Sequence, residues 1–382
     1  MATVGIIAEF NPLHSGHEYL IREAKKLGTV VCVISGNFVQ RGDTAIVPKE
    51  IRAKAALKAG ADLVAELPVL WSMSTAQNFA LGGVSACLSL GCDTLIFGSE
   101  EGDIVPLLQI ADTLTSEEFS VVLGKHLKKG VTFALARQKA CEELGCKKGI
   151  LNKPNNNLGI EYIVASRQLG ANLEFKTVKR QGADHDSKEI DRFVSATLLR
   201  EKLLSGDRDF CKKYMNEEIL GLFEQNRLSD ITRLETAVLS VLRSKTLDEL
   251  KVLPDLSEGV ENKLYSAIKT ATTLNGLYDA IKVKRYPLAR IRRLVLSAFL
   301  GLDSSYFMKL LPYVRVLGFN KYGKVVIKQA KATSKTPIVT KVSEIKESPV
   351  FLLESKASDL YNLSLKNPQP CGKEYTFKII TL

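Results

Sequence analysis

The chain has no run approaching the roughly 18 uninterrupted apolar residues that a membrane-spanning helix needs, although hydrophobic residues fill 45% of its 382 positions. A bundle of membrane helices is thereby excluded. Its first residues, MATVGIIAEF, lack the basic region, apolar run and small-residue cleavage site of a secretion signal. The expectation is a cytoplasmic protein. Cysteine is sparse and unpaired: the seven residues at 32, 87, 92, 141, 146, 211 and 371 include no C-x-x-C spacing. Reduced thiols are expected, with neither a disulfide frame nor a zinc site. There is no internal repeat and no low-complexity tract, which excludes solenoids and disordered tails. A chain of this length suits two domains of roughly 150 to 200 residues, each able to bury its own core.

What is missing from the last third is acidic charge. Residues 1–250 carry 31 Lys and Arg against 32 Asp and Glu, whereas residues 251–382 carry 22 against 10. The whole net charge of +11 therefore comes from the C-terminal part. Such an asymmetry suggests a neutral region that handles a small molecule and a basic region that meets a polyanion.

The first 200 residues alternate apolar runs with helical patterns. VGIIAEF (4–10), TVVCVISG (29–36), ADLVAELP (61–68), DTLIFGSE (93–100) and NLEFKTVKR (172–180) read as strands. Residues 17–27, 48–60 and 74–90 read as helices between them, and 106–147 as a helical, charge-mixed stretch. This alternation predicts a parallel α/β sheet with ligands at the carboxyl ends of its strands. From about residue 205 the pattern becomes helical, with single helical patterns over 233–250, 257–274 and 277–302 punctuated by Pro254 and Pro287. The last 60 residues read as short, basic and β-tending, in KVVIKQA, TPIVTKV and EYTFKIITL. The boundary is placed at 205/206.

Only four histidines exist, and two of them, His14 and His17, flank Gly16 just after the first strand, in EFNPLHSGHEYL. That turn puts both rings at the start of a helix, where unpaired backbone N–H groups and the helix dipole favour a phosphate. Imidazoles there can stabilise charge that builds when an α-phosphate is attacked. The competing account is an ordinary helix cap with incidental histidines.

Strand, then H-x-G-H, then helix resembles the HIGH-motif nucleotidyltransferases. EFNPLHSGH (9–17), SGNFVQRGDTAIVPK (35–49), DLVAELP (62–68), FGSE (97–100), KPNNNLGIEY (153–162) and SATLLR (195–200) occur in that order. Together they resemble the bacterial tRNA(Met) cytidine acetate ligase family, with fainter likeness in KRYPLARIRR and LGFNKYGK. The resemblance implies a Rossmann-like nucleotidyltransferase domain over 1–205 and a mainly helical, basic, tRNA-binding domain over 206–382. It implies a ligase that joins acetate to AMP and then acetylates N4 of the wobble cytidine of elongator tRNA(Met), releasing AMP and pyrophosphate. Partners would be tRNA and acetate. Mg²⁺ is expected to arrive with ATP, since no carboxylate cage is visible.

By the same resemblance, His14 and His17 would be catalytic. ATP would be bound by Ile7, Ala8, Glu9, Phe10, Asn11, Pro12, Leu13, His14, Ser15, Gly16, His17, Glu18, Tyr19 and Leu20, then Gly98, Asn155 and Arg180. Ser195, Thr197 and Arg200 resemble the loop that closes over a triphosphate in the superfamily, against a plain N-cap as the alternative. Lys282, Lys284, Arg285, Arg290, Arg292 and Arg293, with Tyr286 among them, would hold tRNA through phosphates and stacking. Arg41 and Lys49 are candidates for phosphate or acetate, or solvated charges. His185, between Asp184 and Asp186, matches no metal spacing and reads as a loop residue or one near the nucleotide. GFNKYGK (318–324) fits G-x-x-x-x-G-K, but Val325 stands where a Ser or Thr would hold Mg²⁺, so it reads as a turn between strands. Three rivals stay open: another HIGH-type nucleotidyltransferase, an acetate-activating ligase acting on protein, and an RNA-binding protein without catalysis.

Overall fold

The structure is a computed structural model that describes residues 2–180, 194–224, 228–256, 259–283 and 286–382. Strands β1 (Ala2–Ala8), β2 (Gly28–Ser35) and β3 (Leu63–Leu67) carry runs of buried residues instead of alternating exposure. Both faces of each strand are therefore covered, as in the centre of a parallel sheet. Val31 and Val33 of β2 point into one core, Val30, Cys32 and Ile34 into the other. Strands β4 (Thr94–Ser99) and β5 (Glu174–Lys179) extend the sheet beyond β1.

The helices between the strands follow local signals. Helix α1 (Ser15–Lys25) is capped by His14, α2 (Lys49–Lys58) begins after Pro48, and the hydroxyl of Thr75 caps α3 (Ala76–Ser89). Helix α4 (Pro154–Gln168) starts with proline, and α5 (Ala196–Ser205) is capped by Ser195. Three further helices, Val105–Leu114, Glu117–Leu127 and Phe133–Glu143, fill the charge-mixed stretch before α4. The strand order across this part is β3-β2-β1-β4-β5. Connections run one way from β1 to β3 and the other way from β4, so the switch point lies between β1 and β4. A crevice for a ligand opens at their carboxyl ends.

The sheet does not stop at residue 205. Strand β6 (Val314–Phe319) pairs antiparallel with β3, matching Leu63 with Phe319 and Glu66 with Arg315. Ile338–Val339 and Ile380–Thr381 form β7 and β8 beside β6. The helical pattern over 277–302 is two helices, Leu274–Ile281 and α6 (Leu288–Leu300), because Pro287 starts a helix more readily than it continues one.

KVVIKQA is not β-tending in the fold. It lies in α7 (Lys321–Thr333), where Gly323, Val326, Ile327 and Ala330 are buried at helical spacing. The local β-branched residues lose to that periodicity and to the Asn320 cap, whose Oδ1 accepts from Tyr322 N at 2.9 Å and Gly323 N at 3.2 Å. GFNKYGK thus joins a strand to a helix, and not two strands. Gly323 is needed for packing, since a Cβ there would sit 2.0 Å from the Asp62 carbonyl oxygen. Helix α8 (Pro349–Tyr361) meets the segments just after β2 and β3, where Ser358 Oγ accepts from Asn37 Nδ2 at 3.1 Å and Glu354 Oε2 accepts from Val69 N at 2.6 Å. Among the described residues no helix is long and apolar enough to cross a membrane.

Candidate active site

After β1 the backbone turns sharply. Phe10 takes a positive φ of 48°, an uncommon state for a residue with a side chain, and its fully buried ring anchors the turn. His14 and His17 then stack, their ring centroids 3.9 Å apart, while Phe10 meets His17 edge-on at 5.1 Å. Burial, reinforced by the nearby Arg180 charge, lowers the His14 pKa to about 4. Burial and two neighbours, His14 and Arg180, hold His17 well below the usual imidazole range. Both rings are therefore neutral at ordinary pH.

The helix end differs from the sequence expectation. Ser15 N donates to Tyr214 O at 2.8 Å, Gly16 N to His14 Nδ1 at 3.1 Å, and His17 N to His14 O at 2.8 Å. The expected unpaired N–H groups are thus already satisfied. The Gly16 contact has a chemical consequence, because a neutral ring accepting at Nδ1 carries its proton on Nε2. His14 accordingly presents an Nε2–H donor, and His17 keeps a buried Nδ1 without a hydrogen-bond partner.

Across the crevice, Glu100 follows β4 and clasps the first turn of α4. Its carboxylate accepts from Asn155 N at 3.2 Å, Asn155 Nδ2 at 2.6 Å and Asn156 N at 2.8 Å. Asn156 Oδ1 accepts in return from Glu100 N at 2.8 Å and Glu101 N at 3.1 Å. The Asn155 amide, oriented this way, holds Arg180 through a 3.0 Å bond from Nη1 to Oδ1. Gly98 lies alongside, its missing Cβ position 3.2 Å from Arg180 Cγ. The structure thus brings Gly98, Asn155 and Arg180 together opposite the histidines. Glu100 and Asn156 were not singled out in the sequence, though a carboxylate at a strand end and a Pro-Asn-Asn helix start were their signals.

Arg200 of α5 reaches back to the first turn, donating to Asn11 O at 2.9 Å and to Thr197 Oγ1 at 3.1 Å. Ser195 acts as the cap, its Oγ accepting from Leu198 N at 3.3 Å. Arg41 sits on the small hairpin Phe38–Val39/Asp43–Thr44 and is felt electrostatically by Glu9, Arg180 and Arg200. Among the described residues, none of Arg41, Arg180 and Arg200 has a carboxylate oxygen within ion-pair distance, unlike the paired arginines elsewhere in the chain. Three guanidinium groups with no carboxylate partner among the described residues, beside two neutral imidazoles, suit a polyanion.

The side chains of Ile7, Phe10 and Leu13 are buried in the cores. Only their backbone is left for a ligand. Asn11 fixes the loop, its Oδ1 accepting from Ile46 N at 2.7 Å. Arg52, unremarkable in the sequence, is fully buried and donates to Glu9 O at 2.8 Å, Ser35 O at 2.9 Å and Val47 O at 3.2 Å. It ties the ends of β1 and β2 together.

Lys49 is neither solvated nor open to phosphate. It is buried against Glu66, Glu354 at 3.4 Å and Glu374 at 2.7 Å. In the basic segment, Arg293 pairs with Asp255 Oδ2 at 2.8 Å and donates to Gln40 O at 3.1 Å, while Arg290 pairs with Asp255 at 3.3 Å and lies over the Tyr286 ring. Gly42 of the hairpin packs where a Cβ would meet Arg293 N at 2.5 Å, so α6 and the Arg41 hairpin are in direct contact. Lys284, Arg285 and His185 lie outside the described residues.

A strand, an H-x-G-H turn and a helix at the switch point of a parallel sheet, facing arginines that have no carboxylate partner among the described residues, define a nucleotidyltransferase of the HIGH class. The family model described as HIGH Nucleotidyl Transferase matches residues 1–375, and the chain belongs to the tRNA(Met) cytidine acetate ligase family within it. It is 39% identical to the tRNA(Met) cytidine acetate ligase of Caldanaerobacter subterraneus subsp. tengcongensis, with 96% of each chain covered. It is 36% identical over the full length of both chains to that of a Thermoanaerobacter species. The crystal structure of Thermotoga maritima TmcAL bound with alpha-thio ATP superposes with a TM-score of 0.90 at 29% identity, and the apo form with 0.91, each covering both chains fully.

Proposed function

We propose that the protein activates acetate with ATP, releasing pyrophosphate, and transfers the acetyl group to N4 of the wobble cytidine of elongator tRNA(Met), releasing AMP. The observation that carries this reading is the stacked neutral pair His14 and His17 facing Arg41, Arg180 and Arg200 at the sheet's switch point. Acetate needs no base to attack the α-phosphorus, since a carboxylate is already nucleophilic. The site's work is to hold the reactants in line and to neutralise charge as the pyrophosphate departs. His14 Nε2–H is the donor for a phosphate oxygen, and the guanidinium groups hold the rest. Residues 7–20, Gly98, Asn155, Ser195 and Thr197 complete the nucleotide site in this reading.

Among the described residues no group of three His, Cys, Asp or Glu is arranged to hold a metal ion. In this reading Mg²⁺ is carried in by the phosphates, where it would further neutralise their charge. The first 205 residues supply the adenylation site and residues 206–382 the RNA-binding face, even though β6 joins the two in one sheet. The test is incubation of the protein with ATP, labelled acetate and total tRNA, followed by nucleoside analysis. Label in acetylcytidine is the expected result, and label in protein alone would overturn the RNA reading.

The basic segment is proposed as the tRNA-binding surface. Arg290 and Arg293 are engaged with Asp255, so the test uses Lys282 and Arg292 together with Lys284 and Arg285 of the same basic segment. Neutralising these four to glutamine is expected to weaken tRNA binding and to flatten log affinity against log salt by about 0.7 to 0.9 for each phosphate no longer neutralised. Pyrophosphate exchange should persist. Filter binding at several salt concentrations measures the slope, and an unchanged slope would assign the segment to solubility.

A further inference from the structure

Transfer of an acetyl group to an aromatic amine releases a proton, which attack by acetate does not. We propose that the Glu9 carboxylate binds the exocyclic amine of the acceptor cytosine and takes that proton, making Glu9 a catalytic residue of the second step. The inference rests on the cytidine reading above. It starts from how firmly Glu9 is placed. The residue follows β1 directly at the switch point, its carbonyl oxygen held by Arg52 Nη1 at 2.8 Å. One carboxylate oxygen, Oε1, accepts from Gln40 N at 2.9 Å. Oε2 has no hydrogen bond among the described residues. A carboxylate fixed by one oxygen with the other left over is the complement of a cytosine amine, which offers only donors.

Its surroundings suit the task. Arg200 of α5, Arg41 of the hairpin and Arg52 of α2 face Glu9, and Tyr162 of α4 senses it from the core side. None of these three cations forms an ion pair with it. The same guanidinium groups that hold the adenylate phosphate would therefore keep the carboxylate close to the reacting carbonyl. The alternative bases are poor. The His14 pKa is lowered to about 4 and its Nδ1 is taken by Gly16 N, and His17 is held lower than free imidazole by burial and by its neighbours His14 and Arg180. Burial moves Glu9 the other way, above the usual carboxylate value, and this outweighs the Gln40 hydrogen bond and the three cations. Of the three groups, Glu9 alone is displaced upward from its ordinary value, and it alone keeps an accepting atom free of a hydrogen bond among the described residues and outside the core.

The step balances. The N4 lone pair attacks the acetyl carbonyl carbon, the bond from that carbon to the phosphate oxygen breaks, and AMP leaves with its electrons. The amine proton passes to Glu9 Oε2. Water then takes it as the product leaves.

Glu9→Gln separates the roles, because a glutamine Oε1 still accepts from Gln40 N but cannot take a proton. The full-length protein is loaded with ATP and labelled acetate, the acetate-dependent pyrophosphate exchange rate is recorded, and single-turnover transfer to tRNA is followed across pH. Transfer is expected to slow by about 10² to 10⁴, the contribution of a positioned general base, a larger fall than the one exchange shows, since exchange reads only the place of Glu9 among the nucleotide-binding residues 7–20. The wild-type transfer rate should rise with pH through the titration of Glu9 and then level, and the glutamine variant should lose that limb. Glu9→Asp, which keeps a carboxylate on a shorter arm, should regain the limb at a reduced rate. Transfer by Glu9→Gln near the wild-type rate, or an equal fall in exchange and transfer, would overturn the assignment. A wild-type enzyme that exchanges pyrophosphate yet leaves tRNA unacetylated overturns the cytidine reading as well, and the two failures are told apart by that control.

Discussion

Alanine in place of either His14 or His17 is expected to slow acetate-dependent pyrophosphate exchange by about 10² to 10³, the cost of losing one oriented donor to developing charge. His14→Ala also removes the cap of α1 and should cost about 1 kcal/mol of stability, so exchange is compared at a temperature where both variants are folded. The reason lies in the tautomer: Gly16 N fixes the His14 proton on Nε2, so the donor is oriented before ATP arrives. Because burial keeps both rings neutral, the exchange rate should show no titration near the ordinary imidazole pKa of about 6.5. Protonation of His14 would matter only toward pH 4. Near-normal exchange by both variants would remove the histidines from the chemistry.

Lys49→Met is expected to destabilise the protein by about 3 to 5 kcal/mol, as loss of one member of a buried ion cluster does. Lys49 and Arg315 carry two positive charges in the interior, facing Glu66, Glu354 and Glu374. Burial opposes ionisation of Glu374, but Lys49 and Arg315 more than offset it and lower its pKa to about 2. Burial and the neighbouring Glu66 raise Glu354 to about 8. Near neutral pH, then, the two cations face an ionised Glu374 and a protonated Glu354. Without Lys49 the balance fails, and urea denaturation should report the loss.

The same cluster gives a pH dependence. The folded protein keeps a proton on Glu354 that the unfolded chain releases above about 4.5. Stability from this group is therefore full at lower pH and declines as pH rises toward 8. Glu354→Gln mimics the protonated acid and should abolish that decline, with urea midpoints at about pH 6 and about pH 9 lying closer together than in the wild type. A wild-type midpoint that holds steady over this range would show that Glu354 is ionised throughout.

Much of the site was legible in the sequence because its parts are local. The His14 and His17 turn needs only a strand end and a helix start, and the Pro154–Asn155 helix start is a local signature too. Glu100 and Arg52 were hidden for different reasons. Glu100 acts only after β4 and α4 meet, and Arg52 looks like any helix-surface cation until β1 and β2 close over it. Lys49 misled for the same reason: its three carboxylate partners lie 17, 305 and 325 positions away. The place of β6 in the central sheet was missed because its pairing is antiparallel and remote, and KVVIKQA was misread because β-branched residues suggest a strand when the spacing of burial is invisible. The parallel core was clear because buried strands announce themselves as unbroken apolar runs.

Strand β6 also sets an order of events during synthesis. The edge of β3 forms its ladder with residues made roughly 250 positions later. At about 5 to 20 residues per second on the ribosome, that edge waits on the order of 10 to 50 seconds with its backbone groups unpaired. Lys49 and Glu66 wait as long for Arg315, Glu354 and Glu374. The proposed nucleotide site draws almost wholly on residues 7–200, yet the sheet beneath it is finished only by the last residues to emerge. A nascent chain stalled before residue 314 would therefore expose a strand edge and two buried charges, making it a substrate for chaperones or proteases rather than a partial enzyme.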